Sequence, residues 1–287
     1  MKILICGASG FVGRHLTQAL RAAGHTVARA VRTPREPGDI AVDFRNDTAS
    51  RTWVARTQGM DVVINAVGVL RDSAANPMQQ LHAETPAALF AACAETNVRR
   101  IVHISALGVD SGVAVPYFTT KLAAEQALNA LPPGVRRLCL RPSVIYGEDG
   151  TSARMFRNQA RLPVHALPMG GMQALQPVHI DDICAAVVRW LADPDAASGT
   201  VNAVGAEATT MRGMLDSYRA QMGYGPALHL AMPAFMMRLA AQIGDHIPSS
   251  PLCSDTYAML SAGNTASADA FSRLLGRKPR SYREFIA

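Results

Sequence analysis

Met1-Lys-Ile-Leu-Ile-Cys6-Gly7-Ala-Ser-Gly10-Phe-Val-Gly13-Arg14-His-Leu-Thr-Gln-Ala-Leu-Arg-Ala-Ala23 opens the chain. Residues 2–6 form a short apolar run of strand length, and residues 11–23 carry a helical pattern. Three glycines join the two. Gly7 permits a tight turn, Gly10 lets backbone approach a pyrophosphate, and Gly13 lets the helix pack close to the strand. A helix N-terminus placed there offers unpaired N–H groups and a partial positive charge to phosphates. The bland alternative is a purely structural turn. Strand, glycine spacing and helix agree, however, so the stretch reads as a dinucleotide site with Gly7, Ser9, Gly10, Phe11, Val12, Gly13 and Arg14 as candidate cofactor residues.

Outward from this stretch, strand-like segments at 2–6, 26–31, 61–66, 101–105 and 137–141 alternate with helical ones at 11–23, 51–58, 78–95 and 117–130. That alternation predicts an α/β fold, a doubly wound parallel sheet of Rossmann type. Beyond Pro142 the regularity changes. Residues 150–177 read as loop with a short helix, 178–191 as a strand end and a helix, 200–204 as a strand, 211–222 as a helix, 228–232 as an extended piece, 233–243 as a Met-rich helix, and 264–287 as a tail with one more helix. The expected division is a nucleotide-binding domain over 1–150 and a small C-terminal substrate lobe over 151–287, with 178–204 returning to the first domain. A ligand crevice is expected at the C-terminal ends of the first-half strands, roofed by second-half segments.

A chain of 287 residues with 49% hydrophobic and 17% charged residues reads as globular. The net charge of +6 comes from dispersed arginines, which disfavours a nucleic-acid surface. Five scattered cysteines without CxxC spacing read as buried thiols of a reducing compartment. With a core strand at the start and no bilayer-length apolar run, a cytoplasmic protein without a signal peptide or transmembrane segment is expected. No His or Cys spacing predicts a metal site, and His179 is expected to hold a loop by hydrogen bonds. Asp181 and Asp182 fit the start of the helix that follows, and His82 reads as structural, though it could face the pocket.

The second strand has no carboxylate near Val31 to take a ribose 2′-hydroxyl; Arg29 and Arg32 are there instead. A guanidinium suits a 2′-phosphate, so NADP(H) is expected over NAD, with Arg32 as its reader and Arg29 as a surface residue. Asp43-Phe44 is placed beside the adenine, and the small residues Ala66, Val67 and Gly68 after the next buried strand allow close approach to the cofactor. Tyr117 and Lys121 stand at i and i+4 on one helix face. An ammonium lowers a phenol's pKa, which suits Tyr117 to acid/base work, and Lys121 can also bind the nicotinamide ribose.

Gly7-x-x-Gly10-x-x-Gly13, Asp43-Phe44, Asn65-Ala-Val-Gly68, His103-Ile-Ser105-Ala-Leu-Gly108, Tyr117-x-x-x-Lys121, Leu140-Arg-Pro142-Ser-Val144-Ile-Tyr-Gly147 and His179-Ile-Asp-Asp182 stand in this order over residues 1–190. The set resembles an extended or atypical short-chain dehydrogenase/reductase of the NAD-dependent epimerase/dehydratase type. Ser-Ala-Leu-Gly and the tail Arg273-Leu-Leu-Gly-Arg-Lys-Pro-Arg-Ser281 look most like bacterial relatives of the nucleotide-binding accessory subunit of respiratory complex I. The resemblance implies cofactor contacts from Pro142 and Val144 and a catalytic Ser or Thr beside Tyr117 and Lys121. Leu107 stands near that position and cannot serve. Ser105 is the candidate in its place, with Ser111 as the alternative.

The expected function is an NAD(P)-dependent oxidoreductase acting on a small-molecule carbonyl or hydroxyl substrate, with an apolar one as an option. The alternatives are a non-catalytic NADPH-binding structural or assembly protein of a respiratory complex, and a sugar-nucleotide epimerase or dehydratase. For the last, Arg154, Arg157 and Arg161 could meet a diphosphate from one helical face. The Met-rich helix is expected to be ordinary core, with a pliable apolar roof or a docking face as alternatives. Helices 78–95 and 117–130 could form a homodimer face.

Overall fold

A computed structural model describes residues 1–247, 250 and 252–286. Along the chain run β1 (Lys2–Cys6), α1 (Phe11–Ala22), β2 (Thr26–Val31), β3 (Ile40–Ala41), α2 (Ser50–Thr57), β4 (Val62–Asn65), α3 (Thr85–Glu95), β5 (Arg100–Ile104), α4 (Pro116–Asn129) and β6 (Arg136–Pro142). They are followed by β7 (Ile145–Tyr146), α5 (Thr151–Arg161), β8 (Val164–Pro168), β9 (Ala174–Leu175), β10 (Val178–His179), α6 (Ile180–Ala192), β11 (Gly199–Ala203), β12 (Thr209–Thr210), α7 (Met211–Gln221), β13 (Leu228–Met232), α8 (Ala234–Asp245), α9 (Ser254–Ser261) and α10 (Asp269–Leu275).

The chain divides into two compact units. The first comprises residues 1–110, 116–141 and 184–201, and the second residues 111–115, 142–183 and 202–287. A seven-stranded sheet has the order β11-β6-β5-β4-β1-β2-β3. Strands β3, β2, β1, β4, β5 and β6 pair in parallel, with Ile3 opposite Val27 on one side and Val62 on the other. Parallel strands covered on both faces are buried throughout. Ile3, Leu4, Ile5, Cys6 and Val62, Val63, Ile64 accordingly have no exposed surface, which is why they read as unbroken apolar runs rather than alternating ones. Strand order reverses between β1 and β4, the switch point at which ligands of such sheets bind. Helix α1 buries Gly13, Leu16, Thr17 and Leu20, the spacing of one helical face.

One expected helix is two segments. Residues Gln79–Glu84 are π-helical before α3 begins. Pro86 explains the change: it has no N–H to give the carbonyl four residues back, and its ring pushes that carbonyl away, widening the turn.

The second unit has its own core of Tyr146, Phe156, Leu167, Met214, Leu215, Tyr218, Tyr282 and Phe285. Tyr146 stacks on Phe285 at 4.9 Å between ring centres. The short helix expected within 150–177 is α5, and much of the remainder, read as loop, is ordered as β8 and β9. Strand β8 takes its partner from β13, some sixty residues later, a pairing no local pattern announces. Helix α9 was also absent from the sequence reading; it buries no residue and so has no apolar period to detect. The Met-rich helix is not ordinary core. In α8 only Met237, Ala241 and Gly244 are buried, while Phe235 is 70% exposed and Leu239 57%. All five cysteines are buried and free. Among the described residues no helix is long and apolar enough to cross a membrane.

Candidate active site

The glycine turn is built as its spacing requires. Gly7 stands at φ +77°, and a Cβ there would lie 2.9 Å from the carbonyl carbon and oxygen of Ala66 and 3.0 Å from the Val67 nitrogen. The loops that leave β1 and β4 therefore touch backbone to backbone at the switch point. A Cβ on Gly13 would lie 2.1 Å from the Gly7 carbonyl oxygen, so α1 rests directly on the turn. Gly10 donates its N–H to Gly7 O at 2.9 Å and is the extended N-cap of α1. No side chain caps that end and its first turn holds no acid. Ser9 and Gly10 are exposed, Phe11 and Val12 half-buried, and Arg14 exposed. This cradle, closed to a Cβ at Gly7 and Gly13 and rimmed by helix-terminal N–H groups, fits a dinucleotide pyrophosphate. Gly7, Ser9, Gly10, Phe11, Val12, Gly13 and Arg14 are the candidate residues around it.

At the end of β2 the two arginines part company. Arg29 is engaged: its guanidinium forms a fork with Asp39, 2.8 and 2.7 Å, and also meets Glu36. Asp39 accepts the Arg35 and Glu36 N–H groups as well, which pins the 35–39 loop. These bonds hold the Asp39 carboxyl well below the usual carboxylate range. Arg32 is exposed and has no partner among the described residues, so it is available to an anion. A cavity of about 290 Å³ beside α1, lined by Ala8, Arg14, Thr17, Gln18, Arg21 and Arg29, is flanked by α1 and β2 and holds neither Tyr117 nor Lys121.

Asp43 and Phe44 do not present free side chains to an adenine. Asp43 accepts from Arg45 N and Nε, from Arg45 Nη2 and from Asn46 Nδ2, which lowers its pKa to about 2 and ties up the carboxylate in a local turn. Phe44 is core, edge-on to Trp53, and its carbonyl accepts from the Thr85 hydroxyl. The carboxylate is thus engaged within its own turn.

Lys121 gathers the strand ends. Its ammonium donates to Val67 O at 3.1 Å and to Ile104 O at 2.9 Å, tying the loop after β4 to the end of β5. Two of its three N–H groups are thereby used. A Cβ on Gly68 would lie 3.4 Å from Nζ, so glycine keeps that approach open. Burial lowers the Lys121 pKa to about 8. Tyr117 packs edge-on against His82, ring centres 5.6 Å apart, and its surroundings raise its pKa to about 12. The expectation that Lys121 pulls the phenol's pKa down is therefore corrected. Desolvation dominates, and the ammonium is turned to backbone carbonyls.

His82 belongs to the site's support, a role its sequence position does not reveal. Its Nε2 accepts the Val69 N–H at 2.9 Å, which leaves the proton on Nδ1, 3.2 Å from Thr120 Oγ1. Burial, with the nearby Lys121 charge, lowers its pKa to about 3 and keeps the ring neutral. Beneath it, Asn65 Oδ1 accepts from Val67 N–H at 3.2 Å and Asn65 Nδ2 lies 3.3 Å from His103 Nδ1. Ser105 follows β5, is 3% exposed, and its hydroxyl has no partner. Leu107 is buried. Ser111 is exposed, belongs to the second unit and accepts from Val113 N–H at 3.4 Å.

In the second unit, Pro142 is buried and the Val144 N–H donates to Asn264 Oδ1 at 3.1 Å. Arg154 and Arg157 donate to the Asp149 and Glu148 carbonyls, and Arg161 to Asn158. His179 Nδ1 accepts the Asp181 N–H, holding its loop. Asp182 is fully buried and clamps the tail, accepting from Arg277 at 2.6 Å and from Arg280 N–H at 2.7 Å.

The sequence model of a family described as NAD dependent epimerase/dehydratase matches residues 3–205. Subunit 9 of the mitochondrial NADH dehydrogenase [ubiquinone] 1 alpha subcomplex of Mus musculus is 26% identical over 210 residues, 68% of this chain and 54% of that protein. The ceramide reductase of Caulobacter vibrioides is 28% identical over 199 residues, 67% of this chain and 61% of that one. The chain spans little more than half the length of the first of these curated relatives. Among solved structures, an NADPH-dependent quinone oxidoreductase of Escherichia coli complexed with NADPH superposes with a TM-score of 0.74 at 16% identity. It covers 99% of this chain and 98% of its own.

Proposed function

The chain belongs to the NAD dependent epimerase/dehydratase family, and on that premise we propose that it is an NAD(P)-dependent oxidoreductase, with NADP(H) preferred and Tyr117 as its acid/base. The observation that carries the proposal is the meeting, in one unit, of the Cβ-free glycine cradle with a buried Lys121 bonded to the loop that abuts it. The bound nicotinamide supplies or accepts a hydride at the carbon of a carbonyl or hydroxyl substrate. The residues of the chain do the rest. Gly7, Gly10 and Gly13 admit the pyrophosphate, and the open end of α1 neutralises it. Lys121 has one N–H left for a ribose hydroxyl. Arg32 meets a 2′-phosphate by charge-assisted hydrogen bonds.

With a pKa near 12, Tyr117 is a neutral phenol at physiological pH, and no described residue bonds its hydroxyl. It is placed to donate a proton to a carbonyl oxygen as negative charge develops there. His82 and Thr120 hold its ring and helix in place. Ser105 supplies the second hydroxyl at the end of β5.

A second reading is favoured by one observation. Buried Leu107 stands near the position where the family's resemblance implies a Ser or Thr, so the orienting hydroxyl must come from elsewhere. If it does not, the chain holds NADPH without turnover, as a structural or assembly protein of a respiratory complex. The sugar-nucleotide epimerase reading is weakened by α5, whose arginines are turned to backbone and to Asn158.

The test is titration of the protein with NADPH and NADH by nicotinamide fluorescence, then addition of quinones, aldehydes and sugar nucleotides. Tyr117→Phe should abolish any turnover and leave cofactor affinity nearly intact. Oxidation that proceeds unchanged in Tyr117→Phe removes the assigned role. Tight NADPH binding with no oxidation across the panel selects the second reading.

A further inference from the structure

In the second unit three potential metal ligands meet that are far apart in sequence. His165 lies on β8, His229 on β13 and Asp216 on α7. The parallel register of β8 and β13 sets His165 directly opposite His229. Burial along both strands alternates: Val164, Leu228 and Leu230 are exposed, whereas His165 is 1% exposed and His229 half-buried. Side chains of a strand point to opposite faces in turn, so both imidazoles stand on the inward face. Their ring centres are 5.3 Å apart at a steep angle. Asp216 completes the group, with Oδ1 2.7 Å from His229 Nε2. One ligand atom from each of the three lies within 4.8 Å of the others.

The decisive residue is His165. Both of its ring nitrogens are buried and neither makes a hydrogen bond. The Ala160 carbonyl lies near enough to the ring to act on it electrostatically, but outside hydrogen-bond geometry, and it also accepts from Arg219 at 3.0 Å. A buried imidazole with neither nitrogen satisfied is costly, and a position that needed only packing is served by an apolar side chain, as at Leu167 two residues on.

The geometry points to a divalent transition-metal site with His165, His229 and Asp216 as protein ligands and one position for water. Two imidazoles and a carboxylate suit Zn²⁺ and its neighbours rather than Mg²⁺ or Ca²⁺, which take oxygen donors. Tetrahedral Zn²⁺, with bonds of about 2.0–2.2 Å, needs donors about 3.4 Å apart, so on binding His229 Nε2 and Asp216 Oδ1, now 2.7 Å apart, open while any pair nearer the 4.8 Å limit closes. Two cations oppose the ion. Arg212 Nε lies 3.8 Å from Asp216 Oδ2, and the Arg219 charge is felt at His165. The bound ion ties the β8/β13 ribbon to α7, a structural clip independent of the dinucleotide site. The spacing 165, 216, 229 matches no short ligand pattern, which is why the sequence carried no expectation of a metal.

The test uses the whole protein freed of metal with a chelator. Titration with Co²⁺ should give one equivalent of visible d–d absorption of tetrahedral intensity, bleached by one equivalent of Zn²⁺, and Zn²⁺ should raise the melting temperature. Asp216→Asn and His229→Gln, both at partly exposed positions, should each weaken Zn²⁺ at least about tenfold. His165→Leu should abolish the Co²⁺ signal while the protein still folds, and exposed His246→Gln should change nothing. If His165→Leu does not fold, the other two variants decide by the same signal. No stoichiometric Co²⁺ band, or a band that survives Asp216→Asn and His229→Gln undiminished, overturns the assignment.

Discussion

Gly13→Ala is the sharpest probe of the cofactor cradle. The added methyl would start 2.1 Å from the Gly7 carbonyl oxygen, 2.7 Å from the Gly7 carbonyl carbon and 2.8 Å from the Ala8 Cα. Close carbon–oxygen contacts settle near about 3.3 Å, so α1 and the turn must separate by about an ångström. The turn cannot easily retreat, because Gly7 itself abuts the Ala66 backbone. Overpacking of this kind costs about 3 kcal/mol at the upper end of the usual range, and Ala returns about 1 kcal/mol in helix propensity. The net loss is about 2 kcal/mol, a fall in melting temperature of about 3 °C for a chain of this size. The larger effect falls on binding. An ångström of displacement at phosphate-binding N–H groups should weaken NADPH at least about tenfold. Fluorescence titration and thermal melting of the same samples measure both. Gly24→Ala is the control: at φ +82° with nothing near its Cβ, it strains the backbone and leaves the cradle alone. A Gly13→Ala protein that binds NADPH like the wild type, or a Gly24→Ala protein that loses as much affinity, refutes the packing argument.

Three further outcomes are expected. Arg32→Ala should weaken NADPH by about 1.5–3 kcal/mol, the worth of a charge-assisted contact, and leave NADH nearly unchanged in parallel titrations; equal weakening removes the case for NADP(H). Lys121 is held at about 8, below the ordinary 10.5 of a lysine. Between those values the unfolded chain carries a proton that the folded chain lacks, so this residue makes stability rise with pH across that window, by up to about 1.4 kcal/mol per pH unit. Urea denaturation at stepped pH should show Lys121→Met lacking that contribution, and an unchanged slope disproves the burial argument. Glu125, 3% exposed at its side chain, forks to Arg141 at 2.9 and 2.7 Å. Glu125→Ala should cost about 3–5 kcal/mol by leaving a buried guanidinium with Asp110 alone, and Glu125→Gln less; a loss below 1 kcal/mol by denaturation would mean the pair is dispensable.

How far the sequence could be read depends on whether the cause of a feature is local. The strand, turn and helix of residues 2–22 were legible because each glycine answers to a neighbour within the same stretch, and the parallel strands because burial on both faces writes them as apolar runs. Arg29 and Arg32 look alike in sequence. Only the fold brings Asp39 back to occupy the first and leaves the second free. Asp43 looks like an adenine ligand until Arg45 and Asn46, two and three residues on, are seen to saturate it. The ribbon of β8 and β13 and the group built on it were illegible, because their partners are some sixty residues apart.

The pair Tyr117 and Lys121 shows most clearly where pattern ends and physics begins. Their spacing does place both on one helix, as the sequence requires. It does not say where the ammonium points. Two carbonyls left at the ends of β4 and β5 decide that, and they draw Lys121 to themselves. With its charge so engaged and its pKa lowered by burial, Lys121 is not what sets the phenol; desolvation is, and it moves Tyr117 upward. A phenol near 12 carries its proton at neutral pH, and it is a weaker acid than an unshifted tyrosine. The same burial that spoils the simple picture of a tyrosinate leaves a phenol whose hydroxyl no described residue bonds. In the proposed mechanism Tyr117 hands its proton to a carbonyl oxygen in reduction and takes it back in oxidation, so Tyr117→Phe should slow both directions alike.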